Sequence, residues 1–417
     1  MTLPDLRPHL RPGDTVTWGQ ACAEPRTLTR ALVAQASDVG DLRCFVGIPA
    51  ESEVRVGTVP ERLAVHSYCG SGSNAALYDA GRLEVWPVPY GTLPAALTSG
   101  ALRADVVLVQ VSPPDEQGHH SLGLGDDYFS AAIDTARVVI AEVNDQVPFT
   151  LGARTITAED CALVVPGTVA PGELPTPVFS DAMQGVAEQV ARLVPDGATL
   201  QFGIGALPEA VLAALGGKRD LGIHSGILNE TAMRLVRDGV ATGRLKTHDR
   251  GVAVAGLLGG TRRLFEWAHR NPAVELRPTA YTHDPQVLAA SHRLVAINAA
   301  IEVDLTGQVN AETVGSHYVG AVGGAGDFLR GAAASEGGLP VIALPATARG
   351  RSRIVPALGG PVSTSRSEEL VVVTEHGVAD LRGTSLGQRA ERLIAIAAPE
   401  HRSGLEAAVT NPVGGTS

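Results

Sequence analysis

Lysine is nearly missing from this sequence. Of 417 residues only Lys218 and Lys246 are lysines, and neither stands in a GxxxxGK[ST] context. A Walker-type phosphate loop and a Schiff-base lysine are therefore not expected, and both lysines read as solvated surface residues. Cysteine is scarce as well. Cys22, Cys44, Cys69 and Cys161 form no CxxC pair, which argues against a zinc or dithiol centre and for small, mostly buried apolar side chains. No apolar run approaches the ~18–20 residues of a membrane-spanning helix. The opening residues, MTLPDLRPHLRPGD, lack the apolar core of a secretory signal. A soluble, cytoplasmic protein is the expectation. A basic footprint is missing too: the net charge is −11, which argues against nucleic acid as a partner. Phosphorylated small ligands stay open, because a few local arginines suffice to hold a phosphate. The 48 glycines follow no Gly-X-Y period and point instead to many tight strand-to-helix turns.

What is present is an internal echo. Leu10–Val33 reads LRPGDTVTWGQACAEPRTLTRALV, and Leu193–Leu215 reads LVPDGATLQFGIGALPEAVLAAL. Pro12 answers to Pro195, Gly19 to Gly203 and Pro25 to Pro208, at an offset of 183 or 184. Each stretch is a β-branched strand, a glycine loop, a proline and a helical pattern. They read as a duplicated unit, against chance likeness of two common strand–loop–helix pieces. Asp105–Ser112, Arg137–Val143, Arg293–Ala299, Pro340–Leu344 and Leu370–Thr374 are short β-branched runs of the kind buried in parallel sheets. Helical patterns lie between them, as where Ser180 caps a stretch with Met183, Val186, Val190 and Leu193 on one face. The fold class expected is α/β. Pro166–Phe179 is rich in proline and glycine, so the chain divides into an α/β domain over 1–178 and a second over 179–417. Ligands in such folds bind beyond the carboxyl ends of the strands, where the glycine loops lie.

Three loops are candidates for binding. Gly203-Ile204-Gly205 follows a strand, where a backbone approaches a ligand closely and free N–H groups hold a developing anion; a tight turn is the plain alternative. It lacks the third glycine of a dinucleotide fingerprint, since Pro208 stands there. GAVGGAGD, Gly320–Asp327, is either a second close approach or a flexible turn. RGRSR, Arg349–Arg353, either clamps phosphate or is a solvated loop.

Taken in order, ADVVLVQVSPPDEQGHHSLG (Ala104–Gly123), VVIAEVNDQVP (Val138–Pro148), GIGALP (Gly203–Pro208), NPAVELRP (Asn271–Pro278), AIEVDLTGQVNAETVG (Ala300–Gly315), GGAGDF (Gly323–Phe328) and SRIVP (Ser352–Pro356) resemble the acetyl-CoA hydrolase/transferase family. The likeness is to its 4-hydroxybutyrate and butyrate CoA-transferase type and spans nearly the whole chain. It implies a class I CoA transferase, with two similar open α/β/α domains and the active site between them. It implies an enzyme glutamate that attacks an acyl-CoA thioester, passes through acyl-glutamyl anhydride and glutamyl-CoA, and hands CoA to a small carboxylate such as acetate. No metal or redox cofactor is implied, coenzyme A being a substrate, and a homo-oligomer is the default. The resemblance points to Gly203, Ile204, Gly205, Gly323, Gly324 and Arg349 for CoA.

One departure matters. The family glutamate is expected in a His-Thr-Glu motif about twenty residues after the glycine loop, and this chain has His224-Ser225-Gly226. Glycine performs no nucleophilic chemistry. Glu24, in the first-half counterpart of the GIG loop, is the first candidate replacement; its alternative is capping the following helix. Glu230 is the second, if the stretch from 226 is helical. Glu142 reads as ordering a loop by hydrogen bonds, Glu302 and Glu312 as either structural or supporting the site from behind, and His119–His120 as a surface turn. An acyl-CoA hydrolase and a catalytically altered CoA-ester binding protein are the rival functions.

Overall fold

The β-branched runs form two sheets with one strand order. The computed structural model describes residues 3–410. The first sheet contains β1 (Thr15–Trp18), β2 (Leu42–Val46), β3 (Leu63–Ser67), β4 (Leu83–Val85), β5 (Val106–Val111), β6 (Val138–Val143) and β7 (Leu163–Pro166). Its spatial order is β4-β3-β2-β1-β5-β6-β7, parallel throughout. The second contains β8 (Thr199–Phe202), β9 (Gly222–Asn229), β10 (Ala253–Gly259), β11 (Val274–Leu276), β12 (Leu294–Ala299), β13 (Leu339–Ala343), β14 (Val371–Thr374) and β15 (Gly377–Asp380). Its order is β11-β10-β9-β8-β12-β13-β14-β15, parallel except for the last hairpin strand. Shifting every label of the first sheet by seven reproduces the first seven strands of the second, to which the hairpin strand β15 is added. The two echoing stretches thus hold equivalent places, with β1 and β8 each at the turning point of its sheet. All six residues of β5 are buried, as a strand covered on both faces requires.

Helices begin where local chemistry permits. In α1 (Arg26–Val39) the first turn is held by Glu142 from β6. Its carboxylate accepts from the Thr27 N–H at 2.9 Å, the Leu28 N–H at 3.1 Å and the Thr27 hydroxyl at 2.9 Å. Glu142 is structural, as its sequence context implied. In α2 (Asp181–Leu193) the Ser180 hydroxyl accepts from the Met183 N–H at 3.3 Å. In α3 (Ala206–Ala214) Pro208 lies in the first turn, where its missing N–H leaves no intrahelical bond unmade.

Two surface assignments are corrected. Lys246 is 3% exposed and donates to the Val252 carbonyl at 2.7 Å; burial pulls its pKa down to about 8. His120 is also buried, with Nδ1 2.8 Å from the Ser112 carbonyl, and only His119 faces solvent. Cys22, Cys44 and Cys69 are buried free thiols, and burial pushes Cys22 up to about 12. Among the described residues no helix is long and apolar enough to cross a membrane.

The largest apolar core draws on both sheets, with Phe45, Tyr128, Phe202 and Leu257 among its members. Backbone bonds tie the halves together. Gly70 donates to Gly320 at 2.8 Å, Tyr90 to Gly323 at 3.0 Å and Asp126 to Gly256 at 2.9 Å. The glycine loop at 320–327 is therefore pinned to the first domain at Gly320 and Gly323.

Candidate active site between the two domains

A cavity of about 360 Å³ opens where the carboxyl ends of β8 and β12 meet the first domain. Gln20, Ile48, Tyr68, Ser71 and Tyr90 line it from one side. Gln201–Ile204, Gly226, Asn298–Ile301 and Val319–Ala325 line it from the other. At the strand ends Gln201 and Asn298 pair their amides, with Asn298 Nδ2 donating to Gln201 Oε1 at 3.0 Å.

Gln20 organises the first-domain wall. Its Oε1 accepts from the Tyr68 hydroxyl at 2.6 Å and from the Ile48 N–H at 3.1 Å. Its Nε2 donates to the Tyr90 hydroxyl at 2.7 Å and to Asp127 Oδ2 at 2.8 Å. All four hydrogen-bonding directions of the amide are used, so its orientation is set by its partners. Asp127 stands behind Gln20, and burial pushes its carboxyl up to about 7.

Gly226 and His283 face each other across the second-domain wall. His283 is 6% exposed, with ring centroids of Phe328 at 4.4 Å and Tyr90 at 4.9 Å. Nδ1 is 2.9 Å from the Thr282 hydroxyl. Burial, with His224 nearby, drives its pKa down to about 3, so the ring is neutral. A Cβ on Gly226 would lie 3.4 Å from His283 Cε1 and 3.7 Å from Nε2. A Cβ on Gly324 would lie 2.5 Å from the same Nε2, so that position tolerates only glycine while the ring stays in place.

The sequence matches the acetyl-CoA hydrolase/transferase N-terminal domain over residues 1–165 and the C-terminal domain over residues 260–409. It is 38% identical to the 4-hydroxybutyrate coenzyme A transferase of Clostridium kluyveri, over 94% of this chain and 92% of that protein. The chain belongs to the acetyl-CoA hydrolase/transferase family. It is also 30% identical to the butyryl-CoA:acetate CoA-transferase of Anaerostipes caccae, over 95% of this chain and 92% of the other. Its fold superposes on the crystal structure of RipA from Yersinia pestis with a TM-score of 0.91 at 35% identity, covering 97% of this chain and 95% of that one.

Within this member of the family the expected site residues divide. Gly203, Ile204, Gly323 and Gly324 line the cavity. Gly205 does not line it; with φ of +119° it caps α3 just outside. The Gly203 N–H is bonded to the Ile297 carbonyl at 2.9 Å, so it is not a free anion donor. Ile204 and Gly205 have no such bond among the described residues. Arg349 lies away from the lining, on an exposed turn that follows β13, the neighbour of β12.

Glu24 is not brought to the cavity. Its Oε1 accepts from the Thr29 hydroxyl at 2.9 Å and the Glu53 N–H at 3.1 Å, inside the first domain. The loop presents Gln20 instead. Glu230 is also held elsewhere, by the Thr261 N–H at 3.3 Å and the Thr261 hydroxyl. The stretch from 222 to 229 is a strand, so the helical offset from Gly226 to Glu230 does not exist. Glu302 and Glu312 are structural: Glu302 accepts from Asn310 and the Gly359 N–H, and Glu312 from Tyr318 and Ser363. Sequence reasoning missed Gln20, Asp127 and His283. Gln20 shared the glycine loop with Glu24, a usable signal, but the other two belong to no motif that was considered.

Glu24 yields a test of both stability and chemistry. Burial raises its pKa from 4.5 to about 7, so the folded state holds a proton that the unfolded chain releases. Its contribution to stability is full below pH 4.5 and is lost as pH rises towards 7, by about 3 kcal/mol. Glu24→Gln should flatten urea-denaturation stability across that window and keep more than half of the wild-type turnover. Loss of turnover in a folded Glu24→Gln protein would restore Glu24 as the nucleophile.

Proposed function

We propose that this chain transfers coenzyme A between a short-chain acyl-CoA and a small carboxylate such as acetate. Family membership over nearly the full chain supports the reaction class. The observation that favours transfer over hydrolysis is the make-up of the lining. Water must lose a proton to attack a thioester, yet among the described residues the lining holds no aspartate, glutamate, cysteine or lysine, and its one imidazole, His283, is packed against Phe328 and Tyr90, where burial disfavours taking up a proton. A carboxylate arrives already ionised and has no proton to lose. The exchange moves no electrons between redox centres, so no redox cofactor is needed, and a metal is not part of the reading. The four free cysteines are consistent with a reducing cytoplasm, and a homo-oligomer is the assembly proposed.

For CoA, the acyl end lies over Gly203, Ile204 and the Gly323–Gly324 loop. Gly205 closes the turn, and Arg349 reaches the phosphates outside. Arg349→Ala should raise KM for acyl-CoA roughly fivefold, the worth of about 1 kcal/mol for an exposed charged contact, with kcat little changed. The effect should vanish with pantetheine thioesters, which carry no phosphate.

The function is tested with an acyl-CoA panel, with and without acetate. Acetate-dependent acetyl-CoA formation is expected. Thiol release without acetate identifies a hydrolase. Binding without turnover identifies a CoA-ester binding protein.

A further inference from the structure

Resting on the transferase reading, we propose that Tyr90 is a substrate-binding residue whose hydroxyl donates a hydrogen bond to the carboxylate of the small acid. The polarity of the wall around Gln20 leads there. The Ile48 N–H can only donate, and it lies 3.1 Å from one end of the Gln20 amide, so that end is the oxygen, Oε1. The other end is the NH2 group. This orientation does not depend on the charge of Asp127, because a flipped amide would set two N–H donors against each other at Ile48.

Two tyrosines meet this amide with opposite polarity. Oε1 carries no proton, so the Tyr68 hydroxyl, 2.6 Å away, donates its own. Nε2 can only donate, so the Tyr90 hydroxyl, 2.7 Å away, accepts. The second Nε2 proton goes to Asp127 Oδ2 at 2.8 Å. The Tyr90 proton is thereby left over. It has no acceptor in hydrogen-bond geometry among the described residues; Thr279 Oγ1 is near but is itself without a partner. Tyr90 is 7% exposed and lines the cavity, so its unused O–H costs free energy until an acceptor arrives. Ionisation offers no escape. Burial, with Asp127 and Tyr128 beside it, pushes this hydroxyl well above the usual tyrosine range, and it stays a donor.

The rest of the lining calls for such a group. Among the described residues no lysine or arginine lines the cavity, so a carboxylate entering it must be held by neutral donors. A hydrogen bond to an ionised acceptor is about twice as strong as one between neutral groups. The acyl end of CoA belongs to the second-domain loops in the reading above, and Tyr90 stands on the facing wall. Its place relative to those loops is fixed, because its backbone N–H donates to the Gly323 carbonyl at 3.0 Å and its ring lies 4.9 Å from that of His283.

Tyr90→Phe compared with Tyr68→Phe tests the proposal. Each variant keeps its ring, removes one hydroxyl from the same amide and leaves one Gln20 group unpaired, so a purely structural role predicts like effects. Only Tyr90 has a proton to give to substrate. In initial-rate assays Tyr90→Phe should raise KM for acetate about tenfold or more, with KM for acyl-CoA within about twofold of wild type. Tyr68→Phe should change KM for acetate by less than about threefold. Equal effects of the two variants on KM for acetate, or none from Tyr90→Phe, would overturn the proposal and leave the transferase reading intact. A crystal structure of the wild-type protein with acetate bound gives a check that does not depend on either variant folding. Tyr90 Oη should lie within hydrogen-bond distance of a carboxylate oxygen, and acetate bound out of its reach would overturn the proposal. No acetyl-CoA formation by the wild-type protein from any acyl-CoA would instead overturn the transferase reading and this proposal with it.

Discussion

Replacing Gln20 with leucine should destabilise the protein by roughly 3–5 kcal/mol and abolish most of its activity. Leucine is one non-hydrogen atom smaller, so only a minor part of that loss comes from a void. It comes from groups left without partners in a dry interface. The Tyr68 hydroxyl loses its acceptor, and the Ile48 N–H loses its own. Asp127 loses the amide N–H that helps keep its carboxylate charged, and its pKa, already about 7, should move further up. The Tyr90 hydroxyl loses the donor that orients it beside His283. Urea denaturation at pH 6 and pH 8 measures the first effect. The deficit should be larger at pH 8, where the unpaired Asp127 must take up a proton to remain buried. A variant within 1 kcal/mol of wild type at both pH values would show that this network carries little of the interdomain stability.

The second large effect is expected at Gly324. In Gly324→Ala the new methyl carbon would begin 2.5 Å from His283 Nε2, a separation that real contacts do not show. The ring has little freedom to yield, packed between Phe328 and Tyr90 and bonded to Thr282. Relief requires moving His283 or the pinned glycine loop. Overpacking of this kind costs about 1–3 kcal/mol of stability. A displacement near 1 Å at a reacting site costs about 100-fold in rate. The folded Gly324→Ala enzyme should therefore lose about two orders of magnitude in kcat/KM for both substrates. Gly226→Ala is its internal control. It reaches the same ring at ordinary contact distance, so it should spare stability and keep kcat/KM within about tenfold of wild type. Two glycines touching one histidine are thus separated by distance: one is compelled by packing, the other is not.

Much of the scaffold was legible before any coordinates. The β-branched runs became strands β5, β6, β12, β13 and β14 with ends shifted by a residue or so, because runs of that kind stay buried on both faces of a parallel sheet. Ser180 capped its helix as read, since that bond spans only three residues. The echo between Leu10–Val33 and Leu193–Leu215 emerged as matching strand order in two sheets, and the motifs named the family. The absence of a carboxylate at Gly226 was equally visible, being a matter of residue identity alone.

Which side chains meet was decided by the tertiary structure. Glu24 and Gln20 share one loop, and charge favoured Glu24, yet the loop turns at Ala21 with φ of +51° and sends Gln20 to the cavity. Lys246 lies in the polar stretch RLKTHDR but is buried, because its ammonium reaches a carbonyl that only the folded loop presents. His283 has no motif at all; it reaches Gly226 because the short helix Thr279–Thr282 before it packs against strand β9. The reason is one of range. Strand and helix preferences act within a few residues and are written along the chain, whereas burial, pKa and contact across the cleft depend on residues separated by tens or hundreds of positions.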